Sequence, residues 1–325
     1  MPALTFGVDV SARWFDVARG TEVRRFANTP PGIAACLGWV WVGGFGQPVR
    51  IGMEATGTYH QPLATALHAA GHTVFVCNPL SIARYSEAVL TRTKTDATDA
   101  RRIARFCETH ALVPWRPASP AHQRLHALVA TRQALLRQLQ QLRNRQGAAG
   151  YTACEALVAE LQAPVEAALT AQVDRVDREL AQLTAAETPL GAQLRALVSI
   201  PGLGRTTAAT ILASLPVERL ATRRQVAAYA GLCPRERTSG ASVRGRSRTG
   251  PLGPASLRKA LYLPAVVAMR ANPALRAFAE RLRTTGKCPK VVIVAVMRKL
   301  LELAWTLLRS GQPFSRSQGS AALTP

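Results

Sequence analysis

The chain has 325 residues, 48 % hydrophobic and 18 % charged, which suits packed cores in two ordinary domains and excludes wholesale disorder. Its formal net charge of +22 calls for a polyanionic partner or a very acidic neighbour. Six cysteines without a C-x-x-C pair fit neither a zinc pattern nor a disulfide framework, and with no signal peptide at the start the expected compartment is a reducing cytoplasm.

The first 116 residues alternate short β-like runs with helical ones. "TFGVDV", "WFDVARG" and "VRRFAN" follow one another closely, as three successive antiparallel strands would. "IAACLGWV" is predicted as a helix, "VRIGMEA" as a strand and "HQPLATALHAAG" as a helix ending in glycine. "HTVFVCN" is a further strand and "DATDARRIARFCETH" a helix. Three strands followed by βαβ alternation predict a mixed sheet flanked by helices, the ribonuclease-H-like (RuvC-like) order, over residues 1–117. The uncharged parts of this region are broken by Pro, Gly, Asn, Gln or His, so none is expected to span a bilayer.

Residues 118–190 are rich in Gln, Leu, Arg and Ala, and predict a helical connector. Leu169, Val173, Val176, Leu180 and Leu183 follow a 4-3-4-3 spacing, a coiled-coil seam, and Leu135, Leu139 and Leu142 give a shorter version. Two antiparallel helices and a dimerising pair both fit this pattern.

From 191 to 312 the chain is predicted helical and basic, before a tail, 313–325, expected to be disordered. "LVSIPGLGRTTAATILASL" matches a helix-hairpin-helix turn, in which Gly202 and Gly204 would let backbone N–H groups approach a phosphate beside Arg205. A Walker A reading fails, because Ser199 stands five before Gly204 and Arg205 replaces the lysine. Three more helices are expected at about 254–270, 272–285 and 289–309.

The charge is unevenly spread. Residues 1–116 carry a net +4 and 117–190 a net zero, whereas 191–325 hold 22 basic against 4 acidic groups, a net +18. That concentration favours a nucleic-acid surface over an ordinary solvated face. Within it lies a predicted loop, "PRERTSGASVRGRSRTG", where Ser239, Ser242 and Ser247 sit among Arg235, Arg237, Arg244, Arg246 and Arg248. This segment cannot bury itself, and its arginines suit phosphate contact.

Four acids carry the chemistry. Asp9 lies inside the first apolar strand, where a charge is costly unless it is paired or metal-bound. Glu54 ends the strand "VRIGMEA". Asp96 and Asp99, three apart at a helix start, project from one face. Asp16 follows on the second strand, with no obvious partner among its neighbours. Singly, each has a structural explanation, since first-turn acids are ordinary dipole partners. Together, the predicted strand order sets Asp9 beside Glu54 and brings Asp96 and Asp99 over the same edge. Converging carboxylates repel unless divalent cations neutralise them, and oxygen-only ligands select Mg²⁺ or Mn²⁺. Two such ions could clamp the attacking and leaving oxygens of a phosphodiester.

With "GVDVSARWFDV", "MEATGTY", "KTDATDARRIA", "SIPGLGRTTAA", "YAGLCPRERTSGASVRGRSR" and "LRKALYLPAVVA" in hand, the chain resembles the DEDD transposases of the bridge-RNA-guided insertion-sequence family, related to the Piv-type pilin invertases. The resemblance spans about residues 4–312. It implies a RuvC-like domain supplying Asp9, Glu54, Asp96 and Asp99 as magnesium ligands. It also implies a transposase domain whose Ser-Gly-x-Ser-x-Arg motif makes Ser239 the nucleophile, which the residues alone do not choose over Ser242 or Ser247. A noncoding guide RNA pairing with target and donor DNA, and a homo-oligomeric working unit, are further implications. Glu236 departs from the family's more basic segment.

Two rival readings remain at this point. A RuvC-like nuclease acting on branched DNA would share every carboxylate and leave the serine to grip phosphate. A non-catalytic nucleic-acid-binding protein has no use for four costly acids. All six histidines precede residue 127, so a Ser-His-Asp triad local to the basic region is excluded, and His60 is expected to be structural.

Overall fold

The computed structural model describes residues 4–55, 57–89, 95–151, 154–239, 243–249 and 253–315; between 235 and 252 it describes backbone alone. The chain divides into two compact units, at Ala118/Ser119.

In the first unit, β1 (Thr5–Val10), β2 (Trp14–Arg19) and β3 (Glu22–Ala27) precede α1 (Pro30–Gly43), β4 (Arg50–Glu54), α2 (Gln61–Ala69) and β5 (Thr73–Cys77). Two further helices follow, α3 (Pro79–Ala88) and α4 (Asp96–Thr109). The sheet order is β3-β2-β1-β4-β5, with β1 antiparallel to β2 and parallel to β4. The expected mixed sheet is therefore present, with β1 at its centre. The helix α3 was not foreseen from the sequence, because its polar composition gives little apolar periodicity.

Side chains on the two faces of β1 meet different layers, as strand alternation requires. Phe6, Val8 and Val10 join Ile51, Met53, Leu63 and Leu67 in a core beside α1 and α2. The other face bears Gly7, which lies opposite Gly52 of β4 in the parallel register. A Cβ on Gly7 would stand 2.0 Å from the Ala100 carbonyl oxygen and 2.3 Å from the Ala104 nitrogen, both backbone atoms of α4. One on Gly52 would meet the Cys107 sulfur at 2.1 Å. These two glycines thus let α4 lie directly on the sheet. The helix starts at a capping box made by Thr95 and Thr98. Near its end the Arg50 guanidinium donates to the Cys107 carbonyl at 2.8 Å.

The second unit contains α5 (Pro120–Ala149), α6 (Glu155–Ala185), α7 (Pro189–Val198), α8 (Arg205–Ser214) and α9 (Arg223–Tyr229). A two-stranded antiparallel sheet, β6 (Pro234–Ser239) with β7 (Val243–Thr249), comes next. Three helices complete it, α10 (Ala255–Ala271), α11 (Pro273–Thr284) and α12 (Pro289–Ser310). The last three match their expected positions within two residues.

Ion pairs Arg124–Glu179, Arg132–Asp177 and Arg143–Glu166 link α5 to α6 in descending order, so the two helices run antiparallel as a hairpin within one chain. Leu125 and Val129 of α5 and Val176 and Leu180 of α6 enter the same core as α8, α10 and α12. The helical connector and the basic region therefore fold together as one unit. Its core also contains Glu302 of α12, 1 % exposed, paired with Arg298 at 2.7 Å and Lys299 at 3.2 Å.

The all-helical expectation beyond residue 191 needs one correction. The segment carrying Ser239 is strand, not loop, up to Ser239 itself. Its arginines leave no apolar alternation, so the ladder is built by backbone hydrogen bonds that hydropathy does not register. The end of the tail, from 316, lies outside the described residues.

The seating of α4 gives a test. Gly7→Ala forces a methyl group into helix backbone, and overpacking of this kind costs about 1–3 kcal/mol. A lowered melting temperature, with a greater loss for Gly7→Val, is the expected result. An unchanged melting curve would mean that α4 is not held so close.

Candidate active site

Asp9 and Glu54 stand two residues beyond Gly7 and Gly52, so alternation puts both on the α4 face of the sheet. They are also neighbours, because Val8 pairs with Met53 one step earlier. Asp96 and Asp99 occupy the first turn of α4, which packs on that face. The helix N-terminus there favours negative charge.

The electrostatics match this placement. The Asp9 carboxyl is raised to about 6, first by burial and then by the charges of Asp99, Glu54, Asp96 and Asp16. The other three acids singled out in the sequence, Glu54, Asp96 and Asp99, therefore bear on Asp9, and Asp16 acts with them.

Two arginines temper the cluster. Arg102 of α4 pairs with Asp99 at 2.8 Å. Arg25 of β3 forks Asp16, its Nε donating to Oδ1 at 2.9 Å and its Nη2 to Oδ2 at 2.7 Å. The same Nη2 donates to Asp96 Oδ2 at 2.6 Å. Asp16 thus has a partner after all. A signal for it was available: Arg19 and Glu22 flank the two-residue turn Gly20-Thr21, and counting outward from that turn pairs Asp16 with Arg25.

Among the described residues, no three His, Cys, Asp or Glu groups lie close enough to hold a metal ion as they stand. The donor chemistry nevertheless fits a hard divalent cation, since every candidate ligand is a carboxylate and their mutual repulsion already lifts Asp9. His60 is buried at the start of α2, apart from this set by residue type and role.

In the second unit, Gly202 takes a left-handed φ of +96°, and a Cβ there would come within 2.8 Å of the Ala268 backbone in α10. Its bareness serves close packing in this structure. Gly204 is the N-cap of α8 and is exposed, with no atom near its missing Cβ, and Arg205 beside it is exposed. Backbone pairing sets Arg235 opposite Arg248, Arg237 opposite Gly245, Thr238 opposite Arg244 and Ser239 opposite Val243, with an irregularity between Arg235 and Arg237. Arg246 lies on β7. The orientation of these side chains, and residues 240–242 with Ser242 among them, fall outside what the structure describes.

Comparison with known proteins accounts for both units. Residues 6–149 match the DEDD transposase family of IS110, and residues 194–280 match the transposase family IS116/IS110/IS902. A pilin gene-inverting protein of Moraxella bovis is 31 % identical, across 95 % of this chain and 97 % of its own length. The chain is an IS110-family DEDD transposase. A putative transposase of Sinorhizobium fredii, y4pF/y4sB, is 27 % identical, over 84 % of this chain and 76 % of its own. A probable family 20 transposase of Pseudomonas aeruginosa is 28 % identical, over 80 % and 84 %. The transposase is accordingly a DNA recombinase, and DNA is the polyanion its charge anticipates. Among the described residues, no helix of the transposase is long and apolar enough to cross a membrane.

The raised carboxyl of Asp9 has a measurable signature in metal-free transposase. Asp9 binds its proton more tightly folded than unfolded, so the folded state carries a penalty above about pH 6 that disappears as pH falls toward the unfolded value near 4. Asp9→Asn removes that penalty. Melting in EDTA should show the variant stabilised at pH 7.5 and the gain shrinking steadily to nothing by about pH 4. A gain independent of pH would mean that Asp9 is not held in this way.

Proposed function

We propose that the transposase cuts and rejoins DNA through a phosphoserine intermediate on Ser239, with Asp9, Glu54, Asp96 and Asp99 holding Mg²⁺ or Mn²⁺. The observation that carries the metal half is the convergence of these acids on Asp9, whose carboxyl they help to raise. A bound divalent ion would supply charge stabilisation to the phosphodiester oxygens. Asp9 and Glu54 offer fixed anchoring from the sheet, and Asp96 and Asp99 approach from the helix above.

On the serine side, Ser239 Oγ attacks phosphorus while one ester oxygen of the DNA leaves with its electron pair. One phosphate ester replaces another, so bond energy is conserved and rejoining needs no ATP. The reverse attack by a DNA hydroxyl restores the phosphodiester and frees the serine. Arg235, Arg237, Arg244, Arg246 and Arg248 would stabilise the non-bridging oxygens, with Gly202, Gly204 and Arg205 of the helix-hairpin-helix reading gripping a further phosphate. A gene-inverting relative supports this chemistry, since an inverted segment must be resealed at every cut.

The choice of Ser239, a homo-oligomeric working unit and guidance by a noncoding RNA rest on the family resemblance of the motifs. Composition supplies only the basic surface that DNA and RNA alike would use.

Two experiments test the reading. DNA trapped under denaturing conditions should yield a protein–DNA adduct that maps to Ser239, and none in Ser239→Ala. An adduct surviving in Ser239→Ala, or robust recombination by that variant, removes the serine from the chemistry and favours a metal nuclease. Asp9→Asn, or wild type in EDTA, should lose strand cleavage by orders of magnitude. Cleavage at the wild-type rate in either would take the carboxylates out of the mechanism.

A further inference from the structure

We propose that Arg25, anchored by the buried Asp16, is a positioning residue that holds Asp96 ready to bind a divalent cation. The inference rests on the carboxylate–cation reading above and extends it to two residues outside the four acids.

The argument begins with the sheet. Asp9, Asp16 and Arg25 are directly opposite one another across β1, β2 and β3, so all three project from the face that carries α4. The Asp16 side chain is 8 % exposed, and a carboxylate so placed is costly unless its charge is matched. Arg25 matches it with a two-point fork, which fixes the plane of the guanidinium. That fork aims the group at the start of α4, where Nη2 also donates to Asp96 Oδ2.

The two acids are used differently. Asp16 gives both oxygens to Arg25, and it is the buried, fixed member. Asp96 gives only Oδ2, and its side chain is 65 % exposed. Without this contact, an exposed aspartate at a helix start samples several rotamers, and a cation would have to order it on binding. With it, one oxygen is pinned to the sheet and Oδ1 is left for another ligand. Partners of this kind, standing behind a metal ligand, are worth about 10–100-fold in metal affinity.

The sign of the effect separates this role from simple charge balance. Removing a cation from beside a carboxylate cluster strengthens the pull on a divalent ion, so electrostatics alone predicts tighter binding when Arg25 is lost. Loss of a positioning contact predicts weaker binding.

The experiment is a Mn²⁺ titration of the full chain, following the spectrum of free Mn²⁺ by electron paramagnetic resonance. Arg25→Gln is expected to weaken Mn²⁺ binding about 10-fold or more. Arg25→Lys keeps the charge but cannot fork Asp16 while reaching Asp96, and should stay weakened. Arg24→Gln removes the same charge from the opposite face of β3 and should bind Mn²⁺ at least as tightly as wild type. Because Arg25→Gln strands a buried carboxylate, the neutral pair Asp16→Asn with Arg25→Gln provides a folded alternative, confirmed by melting in EDTA, and should be weakened to the same degree. Binding as tight as wild type or tighter in Arg25→Gln or in the neutral pair overturns the positioning role, as does full recovery in Arg25→Lys. Wild type that binds no Mn²⁺ would instead overturn the carboxylate–cation reading itself, and this inference with it.

Discussion

The first unit of this transposase depends on the contact between the backbone of α4 and two glycines in the centre of the sheet. A Cβ at Gly7 would collide with the Ala100 and Ala104 backbone, and one at Gly52 would displace the Cys107 sulfur. Each glycine lies two residues before an acid, so the alternation that bares the sheet for the helix also raises Asp9 and Glu54 on the same face. The helix, once seated, brings Asp96 and Asp99 with it. Packing and chemistry are thus set by one register.

The cluster is then made tolerable by local partners. Arg50 fixes the far end of α4, while Arg25 and Arg102 engage the acids at its start. Burial first, and then the neighbouring charges, still raise the Asp9 carboxyl to about 6. The carboxylates gathered there still favour a further positive charge.

Much of the first unit was legible in the sequence, because burial and alternation speak directly through hydropathy. Strand order followed from the succession of three short strands and a βαβ run, and with it the adjacency of Asp9 and Glu54. What escaped was information that hydropathy does not carry. Asp16 looked isolated because its partner lies nine residues away, across a hairpin whose register only the Gly20-Thr21 turn reveals. The β6–β7 ladder joins strands with no apolar face, so its arginines read as loop. The heptad spacing in 169–183 showed an apolar seam without naming its partner; cross-helix ion pairs settle that α5 lies alongside within the same chain. The proposal of Ser239 as nucleophile rests on family likeness alone, since three serines share the same basic stretch of sequence.

The buried Glu302 has its own consequence for the basic half. Residues 191–325 carry only four acids, and one of them is enclosed in the core between Arg298 and Lys299. Surface arginines in this region are individually replaceable so far as folding goes, because water screens them. Glu302 is not interchangeable in that sense: without it, Arg298 and Lys299, the latter 15 % exposed in its side chain, would both lose the buried carboxylate they share. Charge along the outside of α12 can therefore change with little effect on folding, while the buried Glu302 must stay.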